Sequence, residues 1–124
     1  MAINRGNPTG PTYGLGTITV ATAGTPVALT ANSVTTGSFG TAASPSPIVA
    51  QQIRIFAPTS NNGNIYLVHK GGTAASTENI AMVIAPGTTE ILSSPQLSNP
   101  FSLQAYQLDA DASGNQGIIS LVIV

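Results

Sequence analysis

The chain has 124 residues, of which only three are basic and four acidic: 6% charged, against about 25% in ordinary soluble domains. That length fits a single domain, and the absence of cysteine excludes disulfides and thiolate metal sites. Three scattered cations, Arg5, Arg54 and Lys70, make no electrostatic footprint for nucleic acid.

Polarity comes instead from 15 Thr, 12 Ser, 9 Asn and 6 Gln, a third of the chain. A net charge of −1 gives little repulsion between copies. Such a chain is expected either to sit against partners or to be a sandwich with a Ser/Thr surface. No apolar run reaches the ~20 residues of a membrane helix, so no membrane partner is expected. The Gly/Pro-rich residues 5–12 do not form the apolar stretch of a signal peptide, and cytoplasmic synthesis is the expectation.

Residues 1–14 carry Asn7-Pro8, Gly10-Pro11 and Gly14 with little apolar content, which reads as an extended arm ordered on a neighbour or as an unstructured tail. From Leu15 onward, in a domain spanning 15–124, the pattern has period two. Thr17-Ile18-Thr19-Val20 alternates hydroxyl and aliphatic side chains as a half-buried strand does. The turn Ala23-Gly24-Thr25-Pro26 leads to Val27-Ala28-Leu29-Thr30, and the two segments are expected to form a hairpin. Residues 32–47 read as a long surface loop anchored by Phe39.

Residues 48–57 form the next expected strand, with Ile53 and Ile55 inward and Arg54 outward. Asn61-Asn62-Gly63-Asn64 supplies residues that tolerate positive φ, and Ile65-Tyr66-Leu67-Val68 follows as the partner strand of a second hairpin. Gly71-Gly72 closes it, and 73–79 is a polar loop. Residues 77–85 could be capped as a helix by Thr77, yet Ile80, Met82 and Ile84 alternate and Pro86-Gly87 ends the segment with a turn, so a strand is expected. A short strand over 88–92, a connector over 95–100, a strand with alternating Phe101, Leu103 and Ala105, a turn at 111–115 and a final strand over 118–124 complete the chain. The last strand is apolar on both faces, so it must be central in the packing or covered by another subunit. The sum is an all-β, antiparallel β-sandwich or jelly-roll-like domain of about eight strands.

Chemistry is sparse. His69 is the lone histidine, beside Lys70 at a strand end, and no serine sits in a recognisable nucleophile elbow. Asp109 and Asp111, with Asn115, fall short of a calcium-loop pattern and read as turn formers. Gly14-Leu15-Gly16 precedes a strand, which fails the dinucleotide fingerprint. Tyr13, Tyr66 and Tyr106 are scattered and read as amphipathic packing. Neither an enzymatic activity nor a cofactor nor a bound metal is expected.

The order of Asn62-Gly63-Asn64-Ile65-Tyr66-Leu67, Ile84-Ala85-Pro86-Gly87-Thr88-Thr89-Glu90-Ile91, a segment around Tyr106, Ser113-Gly114 and an apolar terminal strand resembles, over about residues 48–124, the small β-sandwich proteins of tailed bacteriophage virions. Capsid decoration (cement) proteins and related accessory proteins are meant. The resemblance implies a non-enzymatic domain on the outer surface of the virion capsid, commonly a homotrimer, whose partner is the major capsid protein. It places the capsid or inter-subunit contacts on the arm, at Ile3, Arg5, Pro8, Pro11 and Tyr13, and on Phe39. The alternative is a carbohydrate- or receptor-binding β-sandwich module of a phage head or tail fibre. That role needs aromatic side chains gathered in one groove, and the chain has no tryptophan to offer.

Overall fold

The computed structural model describes residues 12–29, 34–36, 49–73, 75, 77–93 and 101–123. Among them run ten antiparallel strands: Thr12–Val20 (β1), Val27–Ala28 (β2), Val34–Thr36 (β3), Val49–Phe56 (β4), Ile65–His69 (β5), Ile80–Ile84 (β6), Thr89–Ser93 (β7), Phe101–Ser102 (β8), Tyr106–Ala110 (β9) and Asn115–Ile123 (β10). They form two sheets, one in the order β3-β1-β10-β4-β7 with β8 also on β4, the other in the order β2-β9-β5-β6. Short 3₁₀ turns at Thr77–Asn79 and Leu103–Ala105 are the only helical pieces among the described residues, and neither is long or apolar enough to cross a membrane.

Setting aside the short β3 and β8, the pairing is nested. β1 pairs with β10, β2 with β9, β4 with β7 and β5 with β6. This is one long hairpin folded over on itself into two layers, the jelly-roll arrangement. The expected all-β sandwich is therefore what the chain forms, and the roll has the expected number of strands, eight, though its seventh is Tyr106–Ala110 and not the run from Phe101 to Ala105.

Period-two alternation decides what lies between the layers. Ile18, Val20, Ile53, Ile55, Ile119 and Leu121 point inward from the larger sheet and are at most 1% exposed. Ile65, Leu67, Ile84, Leu108 and Ala110 meet them from the smaller one. Each large aliphatic side chain so buried contributes roughly 1.5–3 kcal/mol. At Gly117 the opposite layer packs tightly: an added Cβ would lie 3.0 Å from Leu108 Cδ2, and 3.4 Å from Ile55 Cγ2 on the neighbouring strand.

Both expected hairpins are absent. β1 and β2 lie in different sheets, as do β4 and β5. In a nested roll the only hairpin between adjacent strands is the innermost one, β5–β6, so the other turns carry the chain from layer to layer. Gly63 does not have positive φ, whereas Gly87, in the Pro86-Gly87 turn, does at 78°. What Gly63 leaves instead is space: an added Cβ would meet the carboxylate of Asp111, which would have to shift.

The strand expected through Phe101, Leu103 and Ala105 is broken by the 3₁₀ turn, which the Tyr106 N–H closes on the Leu103 carbonyl. Leu103 is buried by that turn while Ala105 is exposed, which defeats the apparent alternation. Thr12, Tyr13 and Gly14, expected in the arm, pair in β1 with residues 120–122. The loop expected over 32–47 contains β3 near its start; its remainder and the 95–100 connector lie outside the described residues.

Truncation of a core side chain tests the packing. Ile55→Ala should lower unfolding free energy by about 2–5 kcal/mol, and Gly117→Val by about 1–3 kcal/mol through overpacking. Urea titration followed by circular dichroism reads both.

Candidate interaction face

The outer side of the larger sheet is built from the residues between the inward ones. The register sets Thr17, Ile118, Phe56 and Thr89 in one row and Ser120, Arg54 and Ile91 in the next. A sheet face open to water usually alternates to polar side chains. Here Ile118 is 42% exposed, Phe56 37% and Ile91 52%. Ile118 and Phe56 are direct cross-strand partners, and Ile91 stands opposite Arg54, one row from Phe56. The three side chains form one apolar patch across β10, β4 and β7.

Arg54 is the only charged residue on this face among the described residues. Its Nε donates to Gln52 Oε1, and Gln52 Nε2 donates to Ser93 Oγ at 3.0 Å. This chain of bonds draws the guanidinium along β4 toward Gln52, away from Phe56. Beyond it the face closes: Val122 and Gln52, paired across β10 and β4, are both buried. The patch is thus a bounded apolar area with one cation at its margin.

The outer side of the smaller sheet is different, because the chain covers part of it. Asp109 and Val68 both lie there, and both are fully buried. Asp109 Oδ1 accepts the Gly24 N–H at 3.0 Å and the Ala110 N–H at 2.8 Å, which ties the β1–β2 connection to β9. Beside it the Tyr66 hydroxyl donates to Asp111 Oδ2 at 3.2 Å.

Asn115, at 2% exposure, accepts the Asn62 N–H through Oδ1 and donates through Nδ2 to the Gly63 carbonyl, both at 3.0 Å. Asn61 makes the reciprocal pair with the Gln116 backbone, donating to its carbonyl at 2.8 Å and accepting its N–H at 2.9 Å. The Asp109, Asp111 and Asn115 trio therefore joins loops at one end of the roll. Among the described residues no three His, Cys, Asp or Glu side chains gather around a point.

At the other end of β5, His69 is exposed and its ring lies 5.4 Å from that of Tyr106, tilted by 33°. A neighbouring pocket of about 180 Å³ is lined by the buried Leu29 and Leu103 and by Lys70, Gln104, Tyr106 and Gln107. Tyr66 and Tyr106 are on opposite sides of the smaller sheet, because positions 66 and 69 of β5 face opposite ways and Tyr106 pairs with His69. They share no groove.

Of the contact residues expected from sequence, Ile3, Arg5, Pro8, Pro11 and Phe39 lie outside the described residues. Tyr13 belongs to β1, its backbone paired with Leu121. Sequence reasoning missed Phe56 and Ile91 as surface residues. The signal for Phe56 was available, since it occupies the outward phase set by Ile53, Arg54 and Ile55. For Ile91 it was hidden, because a five-residue edge strand has too short a pattern to fix its phase.

The buried carboxylate gives a direct check on this end of the roll. Asp109→Ala should cost about 1–3 kcal/mol by leaving the buried Ala110 N–H and the Gly24 N–H without their carboxylate, and amide exchange at Gly24 should quicken relative to that at Ile55.

Comparison of the chain with protein-family models, with curated proteins and with solved structures finds no match in any of the three.

Proposed function

We propose that this chain is a non-enzymatic structural protein of a bacteriophage virion: a decoration protein that binds the outer capsid surface and stabilises the shell by bridging major capsid subunits, as a homotrimer. The observation that carries this reading is the outer face of the larger sheet, where Phe56, Ile91 and Ile118 stand exposed beside a single charge. Adjacent exposed apolar side chains on a sheet face are consistent with an interaction site, and low charge with exposed apolar side chains is in keeping with permanent interfaces.

Three large side chains make a small contact area, well below what an isolated stable pair buries, so one such contact is weak. On a lattice of identical sites weak contacts add through effective concentration. Bridging requires a second contact, and residues 1–11, ahead of β1, are the segment assigned to it. The jelly roll is shared by viral capsid and lectin domains, which supports the reading by analogy of fold alone.

The fold analogy serves a glycan-binding module equally, and the pocket beside Tyr106 and Lys70 is the feature that favours that second reading. Against it, the two tyrosines with described side chains are on opposite faces of their sheet.

Cosedimentation with cognate shells stripped of this protein separates the two. The double variant Phe56→Ser/Ile118→Ser should fold as the parent does and bind shells at least about tenfold more weakly, the loss of a little over 1 kcal/mol expected from truncating interface anchors. Removal of residues 1–11 should weaken binding further. Parental affinity in both variants would contradict the decoration role, and glycan binding lost on Tyr106→Ala would establish the alternative.

A further inference from the structure

Asn62-Gly63 is the one Asn-Gly step in the chain, and the fold does not use it as a positive-φ turn. Such a step is the most reactive backbone site a protein without cysteine offers. Glycine has no side chain to shield its amide nitrogen, and Asn62 is exposed to water. The other asparagines are followed by residues with side chains, which hinder the same approach.

We propose that Asn62-Gly63 is a latent site of spontaneous succinimide formation and deamidation, held unreactive in the folded chain by Asn115. In the reaction the deprotonated Gly63 nitrogen attacks Asn62 Cγ, a C–N bond forms, the Cγ–NH₂ bond breaks and ammonia leaves. Water then opens the five-membered ring at either carbonyl, leaving aspartate or isoaspartate at position 62. No oxidant or other reactant is needed.

Ring closure requires rotation about the Cα–C bond of Asn62, which swings the Gly63 peptide toward the side chain. The two backbone groups that flank this movement, the Asn62 N–H and the Gly63 carbonyl, are the two that the Asn115 carboxamide holds at 3.0 Å. Asn115 is 2% exposed and sits at the start of β10, so the holder is itself rigid. A second restraint is electrostatic. The Asp111 carboxylate lies against Gly63, and a negative charge there disfavours the anionic nitrogen that must attack.

The reaction therefore proceeds through local opening of this end of the roll. Its product cannot close again in the same way. Isoaspartate inserts a methylene group into the main chain between the two groups that Asn115 spans, and either product adds a carboxylate beside Asp111 in a chain with four acidic residues. Deamidation would thus record how often this end of the molecule has opened.

The test follows modification in mildly alkaline buffer by peptide mass spectrometry, with isoaspartate measured by enzymatic methylation. The native full chain should deamidate at position 62 at least about tenfold more slowly than the same chain in urea. Asn115→Ala, verified as folded by circular dichroism, should approach the rate in urea, and Asn62→Gln should remove the signal from this peptide. Equal rates for native and urea-unfolded wild type would overturn the proposal, whether or not Asn115→Ala folds. A folded Asn115→Ala that deamidates at the wild-type rate would overturn the role of Asn115.

Discussion

Because β10 lies between β1 and β4, its nine residues must serve two faces and two neighbours at once. Gly117, Ile119 and Leu121 line the core, and the missing side chain at 117 lets Leu108 of the opposite layer approach. Ile118, one residue along, stands on the outer face beside Phe56. Asn115 begins the strand and holds the loop that carries the chain from β4 to β5. The last of the described strands in chain order thus pairs with the first, so this contact joins segments about a hundred residues apart. Pairings of such long sequence separation are the slow part of folding an all-β protein.

Most of the roll's strands were legible from alternation, though β3 lay in an expected loop and β9 beyond the run expected there. Ile53, Arg54 and Ile55 point as their pattern requires, and β10 is central, as a strand apolar on both sides should be. The pairing was not legible. Gly24-Thr25-Pro26 and Asn61-Asn62-Gly63-Asn64 are good turn sequences, but a turn between two strands of one sheet and a turn between two sheets draw on the same residues. What separates them here is the long-range bonding of Asn61 and Asn115, and no local window contains both. Leu103 shows a second limit, since a 3₁₀ turn can bury one residue of an apparently alternating run. The candidate face was half legible. The doubly apolar terminal strand announced that something must lie against it, but the partners Phe56 and Ile91 on β4 and β7 follow only from the register.

The scarcity of charge acquires a location through these pairings. Several of the uncharged polar groups are bonded within the fold: Asn61 and Asn115 join loops at one end, beside the carboxylates of Asp109 and Asp111, and Gln52 and Ser93 bond across β4 and β7. The larger sheet's outer face keeps an apolar centre with Arg54 at its edge. A sheet with that face would associate with other surfaces if left free. The proposed attachment to an ordered shell would both satisfy and limit this tendency.

Cryo-electron microscopy of shells incubated with the protein addresses the central claim most directly, because it reports which face is occupied. The account predicts density of the shell subunit over the Ile118–Phe56 row of the larger sheet, with the smaller sheet turned to solvent. Shells carrying the protein with that row open to solvent, or shells that do not retain it at all, would contradict the account.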